Sequence, residues 1–456
     1  MTDIESIIAD QRSFFASGRT RNISFRQQQL RILRNAIAQN EKRILSALHA
    51  DLKKSEYEGY LTEVGIIYDE IRHIVKHTPK WARPRRVRTP IYHFPAKSMI
   101  YPEPYGVVLV ISPWNYPFQL AVSPLIGAIS AGNCAVIKPS EYSPHTSELL
   151  CEIIAAHFRA DYITAVTGDA ETSRALLEEK LDYIFFTGSP EIGRRVMESA
   201  ARHLTPVTLE LGGKSPCIVA EDADLDSAAK RIVSGKFINA GQTCIAPDYV
   251  LAHHSIKEAL IKRMDEVISE FYGKNPQDSP DYPRIINKRH FDRLAGLLKG
   301  ADIAVGGQTD RDGLYFAPTI VNAEFRDQPL MEEEIFGPIL PVLSYDTAER
   351  AIDAIGSLPR PLALYLFTRK KNLANRILNE VSFGGGCIND TLIHIATPYL
   401  PFGGIGQSGM GRYHGKASFD TFCHEKSILK NLSPFENPFR LPPYGNMLKW
   451  LKKVLR

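Results

Sequence analysis

From Tyr105 onward, short apolar runs ("GVVLVIS", "NCAVIKPS", "YITAVTGD" and "LDYIFFTGS") alternate with amphipathic stretches long enough to form helices. Strands separated by helices pair in parallel, with each helix crossing back over the sheet, so this alternation dictates an α/β fold with a doubly wound sheet. A second series follows: "VTLELGG", "SPCIVA", "DYVLAHH", "ADIAVGG", "GPILPVLSY" and "PLALYLFTR", with "AERAIDAIGSL" and "KNLANRILNEV" as its clearest helices. A chain of 456 residues exceeds what one core supports, so two successive α/β domains and a small extra module are expected.

The first eighty residues carry helical spacing, most clearly in "SFRQQQLRILRNAIAQNEKRILSALHADL", and "PRRVRTPIYHFPAKSMIYPEPYG" then turns extended and Pro-rich. The chain ends in "NMLKWLKKVLR", whose Met447, Leu448, Leu451, Val454 and Leu455 fall on one helical face. The net charge of +4 and the absence of a basic stripe with interleaved aromatics argue against nucleic-acid binding; "WARPRRVRTP" reads as a solvated linker. No export signal opens the chain and no run of about 18 apolar residues could span a membrane. Six cysteines without a C-x-x-C pair argue against a zinc knuckle or a secreted disulfide framework, and predict no metal and a reducing, cytoplasmic setting.

A lone G-x-G-x-x-G at Gly404, Gly406 and Gly409 follows "YLPF" rather than a strand, and reads as a loop. "DYIFFTGSPEIGRRVMESAA" is a better cofactor signal: a strand runs into Gly188 and Ser189, with Ser189 as helix N-cap and Pro190 at the first helical position. Free N–H groups there suit a pyrophosphate, although an ordinary capped turn explains the local sequence equally well. Lys138 and Glu141 in "VIKPSEYSP" lie at another strand end, where Glu141 can chelate a ribose diol and Lys138 donate to ribose or phosphate; a solvated loop is the alternative.

Cys244 in "KFINAGQTCIAPDYV" follows a helical run expected to end at Gly241, and so stands on a loop. A thiol there can attack a carbonyl, but the negative end of that helix would raise its pKa, so activation must come from a base or a cationic cofactor. Without such help it reads as an inert buried thiol, as do Cys134, Cys151, Cys217, Cys387 and Cys423. Glu210 interrupts the apolar strand of "PVTLELGGKSP"; burial would lift it toward the range of a general base, whereas an exposed edge strand is the bland reading. Asn115 in "LVISPWNYPFQL" sits at a strand end, where its amide and the Cys244 N–H can stabilise an oxyanion; a simple turn is the alternative.

"LELGGKSP" and "FINAGQTCIAPD" resemble the two signature stretches of the aldehyde dehydrogenase superfamily, and "PWNYP", "KPSE", "FTGS", "EEIFGP" and "PFGGIGQSGMG" occur in that family's order along nearly the whole chain. "APDYV" and "YHG" resemble its short, homodimeric class-three branch. The resemblance implies Cys244 as nucleophile, Glu210 as base for the hydrolytic water and Asn115 as oxyanion donor. It implies a dinucleotide, NAD with NADP possible, held by Trp114, Lys138, Glu141, Gly188, Ser189, Ile192, Gly193, Leu211, Glu334 and Phe336, with Glu334 on the nicotinamide ribose.

The resemblance also implies a cofactor domain over 1–81 and 103–209, a catalytic domain over 210–400, and bridging segments over 82–102 and 401–456. The "GGIGQSG" loop then belongs near the substrate. Pro190 stands where many relatives have Thr. The tail, short and cationic here where some relatives carry an apolar anchor, is expected to pack on a partner subunit. Rival readings are a cofactor-free cysteine acyl hydrolase or transferase, a coenzyme A acylating enzyme, and an idle binding protein of the same fold.

Overall fold

In a computed structural model, residues 4–325, 330–433 and 441–454 are described. Of the expected N-terminal helices, Ile4–Ala16 packs on two central strands of a six-stranded sheet, while Ile23–Leu52 and Gly65–Trp81 form an outer layer on the helices Gln119–Ala131 and Pro144–His157. That sheet runs, from edge to edge, Gly409–Met410, Val207–Leu211, Tyr183–Gly188, Val107–Ile111, Cys134–Lys138 and Ile163–Ala165. All strands except the first of these are parallel. The chain enters at Val107–Ile111, builds outward to Ile163–Ala165, then returns to build Tyr183–Gly188 on the other side. The loops after Ile111 and after Gly188 therefore open at the point where strand order reverses, where such sheets bind ligands.

The second sheet runs Asp302–Val305, Thr319–Asn322, Ile339–Tyr345, Tyr249–His253, Pro216–Val219, Ala363–Phe367 and Gly385–Ile388, parallel but for its first strand. A continuous apolar core joins the two sheets. Arg85–Val87, Lys97–Pro104 and Cys423–Lys430 form a separate antiparallel sheet, so the extended Pro-rich segment pairs with a strand from the chain's far end.

One strand departs from its expected place. Val207–Leu211 does not open the second series but pairs with Tyr183–Gly188 in the first sheet. The helix Pro190–Ala201 returns the chain to that sheet because Gly193, lacking a Cβ, lets the helix settle on Leu211, where an added Cβ would lie 2.6 Å from the leucine methyl. Gly385–Ile388 went unrecognised because its glycines mask a strand pattern; a Cβ on Gly386 would collide with the Leu364 carbonyl. The tail is helical over Leu448–Val454 with Leu448, Trp450 and Leu451 exposed; Leu455 lies outside the described residues.

Candidate active site

The helix before the thiol ends at Phe237, short of the expected Gly241. Asn239 and Ala240 take left-handed backbone angles (φ 52° and 50°) and Gly241 follows at φ 74°, so the chain unwinds through three residues. Asn and Gly tolerate that region, but an alanine there stores on the order of 1 kcal/mol and persists only because its surroundings hold it. They do so through hydrogen bonds: the Gln242 carboxamide donates to Asn239 O (2.9 Å) and Arg284 O (3.0 Å) and accepts from Ile286 N (3.0 Å). Cys244 emerges in the turn beyond, half-buried and unpaired as a free thiol. The helix terminus is not what weakens its acidity. Burial pushes the thiol up, and the Glu334 and Glu210 carboxyls push it further, while its own N–H and that of Ile245 partly offset them.

Asn115 is buried and its Nδ2 donates to the Gln242 carbonyl at 3.0 Å, two residues before the thiol. Its neighbour Trp114 lies against His290 (ring centroids 4.8 Å) and edge-on to Phe336 (5.4 Å). Burial and the adjacent arginines Arg293 and Arg289 hold His290 down to about 4, so it is a neutral wall.

Glu210 is 3% exposed, which removes the edge-strand reading: Gly409–Met410 pairs along its strand and covers it. Neither carboxyl oxygen finds a hydrogen-bond partner, and burial raises the group well above the ordinary carboxylic range.

These groups share one cavity of about 440 Å³, whose wall includes Trp114, Asn115, Gly188, Ser189, Glu210, Leu211, Cys244, Glu334 and Phe336. Ser189 caps the helix start, its Oγ accepting the Ile192 N–H at 3.4 Å, with Pro190 following as expected. Glu334 is lifted to about 8 by burial and by Asp248, and it accepts the N–H of Gly213. The wall thus offers the positive end of a helix beside Ser189, an unpartnered Thr187 hydroxyl and the half-buried Glu334 carboxyl, a set that suits a dinucleotide's phosphates and ribose hydroxyls.

Four expected cofactor residues stand off this wall. Lys138 ends its strand almost fully buried and ion-paired with Glu141 at 3.4 Å; Ile192 is exposed, and Gly193 acts through its contact with Leu211. Sequence reasoning missed His290, Arg293, Arg360 and Lys214 on this wall, whereas Gln407 lies on the "GGIGQSG" loop expected near the substrate. Lys214 pairs with Asp248 and donates to the carbonyls of Leu330 (2.7 Å) and Glu333 (2.9 Å), anchoring the loop that carries Glu334. The "GGK" beside Glu210 and the "APD" after the cysteine contained this pair, but nothing in their spacing joined them. Among the described residues no group of three His, Cys, Asp or Glu is arranged to hold a metal, and no helix is long and apolar enough to cross a membrane.

A sequence model described as the aldehyde dehydrogenase family matches residues 1–428. The 4,4'-diaponeurosporen-aldehyde dehydrogenase of Staphylococcus aureus is 50% identical over the full length of both chains. The dimeric NADP-preferring aldehyde dehydrogenase of Rattus norvegicus is 44% identical over 97% of this chain and 98% of its own. A solved structure, the substrate-bound state of Staphylococcus aureus AldH, superposes with a TM-score of 0.98 at 49% identity, covering all of both chains.

Proposed function

The chain belongs to the aldehyde dehydrogenase family, and from that premise we propose that its NAD(P)-dependent oxidation of an aldehyde to a carboxylic acid runs through Cys244, Glu210 and Asn115. The observation that carries this reading is that a thiol, an unpartnered buried carboxyl and an asparagine amide, remote in sequence, line one cavity with the start of a helix. The Cys244 thiolate adds to the aldehyde carbon, and the C=O electron pair moves onto oxygen to give a thiohemiacetal oxyanion that receives the free N–H of the Asn115 amide and the Cys244 N–H. A nicotinamide held beside Trp114, Glu334 and Phe336 would supply the hydride acceptor that this carbon needs to become a thioester. Glu210 then takes the proton of the water that attacks the thioester, releasing the acid and the thiol.

Trp114, Gly188, Ser189, Glu334 and Phe336 are the residues that would hold the dinucleotide, with Lys138 and Glu141 at the neighbouring strand end. Replacing Cys244 with Ala should abolish reduced-cofactor formation with every aldehyde; retained turnover would refute the assignment. The same assay separates this chemistry from a cofactor-free acyl hydrolase, since a hydrolase forms no reduced nicotinamide.

We read 1–81 and 105–211 as the cofactor unit, moving its end past the Val207–Leu211 strand, and 85–104 with 423–430 as the bridge. The rat relative's dimeric name and the exposed apolar side chains of the tail helix support a homodimer. Six free cysteines support a reducing, cytoplasmic location.

A further inference from the structure

The relation between the Asn115 and Cys244 loops is set by a turn far from both in sequence. The short helix Glu56–Gly59 continues into a π turn over Tyr60–Val64 before the helix Gly65–Trp81 begins. The wider turn changes the spacing of the buried face to five, so that Glu58 with Gly59 and then Glu63 with Val64 all point inward. The two carboxylates reach different loops. Glu58 Oε1 accepts the N–H of Asn239, the first left-handed residue before the thiol, at 2.9 Å. Glu63 Oε2 accepts the N–H of Phe118 at 2.9 Å and of Gln119 at 3.3 Å, where the helix after Asn115 starts.

Between them sits Lys54. Its ammonium is ion-paired with Glu63, and both side chains are 0% exposed. The same ammonium donates to the Asn115 carbonyl at 3.0 Å and stands 4.0 Å over the ring of Tyr116, whose hydroxyl is 2.7 Å from Thr243 Oγ1, one residue before the thiol. Asn239 Nδ2 donates to that same Asn115 carbonyl at 2.8 Å. A buried ion pair is a weak source of stability, because its desolvation consumes most of the attraction. A short charge-assisted donor on one peptide carbonyl instead fixes geometry.

We propose that Lys54, held by Glu63, is a positioning residue for the reaction: it fixes the Asn115 peptide and through it the carboxamide that faces the thiol. This rests on the roles given above to Asn115 and Cys244. In the full chain, Lys54→Met should lower kcat about 10- to 100-fold with the KM for NAD within about twofold of wild type, because misplacing an oxyanion donor affects the chemical step and leaves the cofactor wall intact. Lys54→Met combined with Glu63→Gln removes both charges of the pair and keeps an acceptor oxygen for the Phe118 and Gln119 N–H groups, so it should keep the fold while showing the same loss in kcat.

Adding Lys54→Met to Asn115→Ala should cost nothing beyond Asn115→Ala alone. Wild-type kcat in the paired replacement, a rise in cofactor KM as large as the loss in kcat, or losses that multiply in the Asn115→Ala background would overturn the proposal while leaving the Asn115 reading standing. Wild-type kcat in Asn115→Ala would overturn both.

Discussion

Gly212 faces the Glu334 carboxyl so closely that a Cβ on Gly212 would overlap Glu334 Oε2. Glu334 stands on the loop anchored by Lys214 and Asp248, and its carboxyl accepts the N–H of Gly213. A glycine, followed by a second one, is what lets that carboxyl reach across the cavity to the strand carrying Glu210.

Gly212→Ala tests this contact. The colliding atom is the end of a flexible side chain, so the protein should fold and melt as wild type while Glu334 swings away. The KM for NAD should rise by up to about tenfold, the worth of one good hydrogen bond, with the aldehyde KM changed less. Initial rates against each substrate check it, and an unchanged cofactor KM would remove Glu334 from the cofactor wall.

Glu210→Gln separates the two halves of the reaction. Addition of the thiol and the first reduced cofactor need no base for water, whereas hydrolysis of the thioester does. A stopped-flow trace should keep its burst of reduced nicotinamide while steady turnover falls about 100-fold or more. Because burial holds Glu210 well above the ordinary carboxylic range, the wild-type hydrolysis step should also quicken as pH rises and more of the carboxyl ionises. Equal loss of burst and turnover would place Glu210 in the first half instead.

Much of this site was legible in the sequence because its residues break local rules. Glu210 interrupts an apolar strand, Ser189 and Pro190 announce a helix start, and Asn115 ends a strand between aromatics. What escaped notice is what three-dimensional pairing alone creates. Nothing in the spacing around Lys54, Glu58 and Glu63 singles them out, and no periodicity shows that a π turn over Tyr60–Val64 brings both carboxyls inward toward the lysine. His290 and Arg293 sit on a helix, Lys288–Leu297, whose nearness to Trp114 depends on how the second sheet packs against the first. The Val207–Leu211 strand was assigned to the wrong sheet because strand order cannot be read from alternation. The early end of the helix before Cys244 depends on long-range hydrogen bonds to Gln242 that outweigh helix propensity.

The cofactor-free thiol should be sluggish. With burial and two carboxyls raising Cys244, the thiolate fraction at neutral pH is small and grows about tenfold per pH unit. Alkylation by iodoacetamide should therefore climb with a log slope near one from about pH 7 to about pH 9, without the levelling expected of an ordinary thiol near its pKa of about 8.5. A rate already level at neutral pH would mean that the thiol is activated by the protein alone.

Glu70 links acidity to stability. It is buried between Ser123 and Ser418, and burial lifts it to about 7 although those hydroxyls favour its ionised form. Its folded pKa lies above the unfolded value, so the folded chain keeps a proton that the unfolded chain releases between about 4.3 and 7. The associated stability is full below that window and is lost as pH rises through 7. Glu70→Gln, always neutral, should lose less stability than wild type across the window and gain on it by about 3 to 4 kcal/mol at most at pH about 8. Urea unfolding at both ends of the window measures this, and a difference that does not vary with pH would show that Glu70 does not titrate there.

Cofactor choice should turn on the Lys138–Glu141 pair. Lys138 is almost fully buried at its strand end while Glu141 is partly exposed, so under the proposed function the carboxylate is the member of the pair that an incoming ribose would meet. An ionised carboxylate accepts both hydroxyls of an unphosphorylated ribose and repels a 2′-phosphate, which favours NAD. Yet the pair is long, at 3.4 Å, and the Lys138 ammonium also donates to the Pro139 carbonyl at 2.8 Å, so it offsets that repulsion only in part. Glu141→Gln removes the repulsion and frees Lys138 at once, so the ratio of kcat/KM for NADP over NAD should rise about tenfold, the equivalent of about 1.4 kcal/mol. Lys138→Met should move the ratio the opposite way, because it deletes the only cation of the pair. Initial rates with both cofactors decide the matter: if Glu141→Gln leaves the ratio where it was, the ribose is read by other residues.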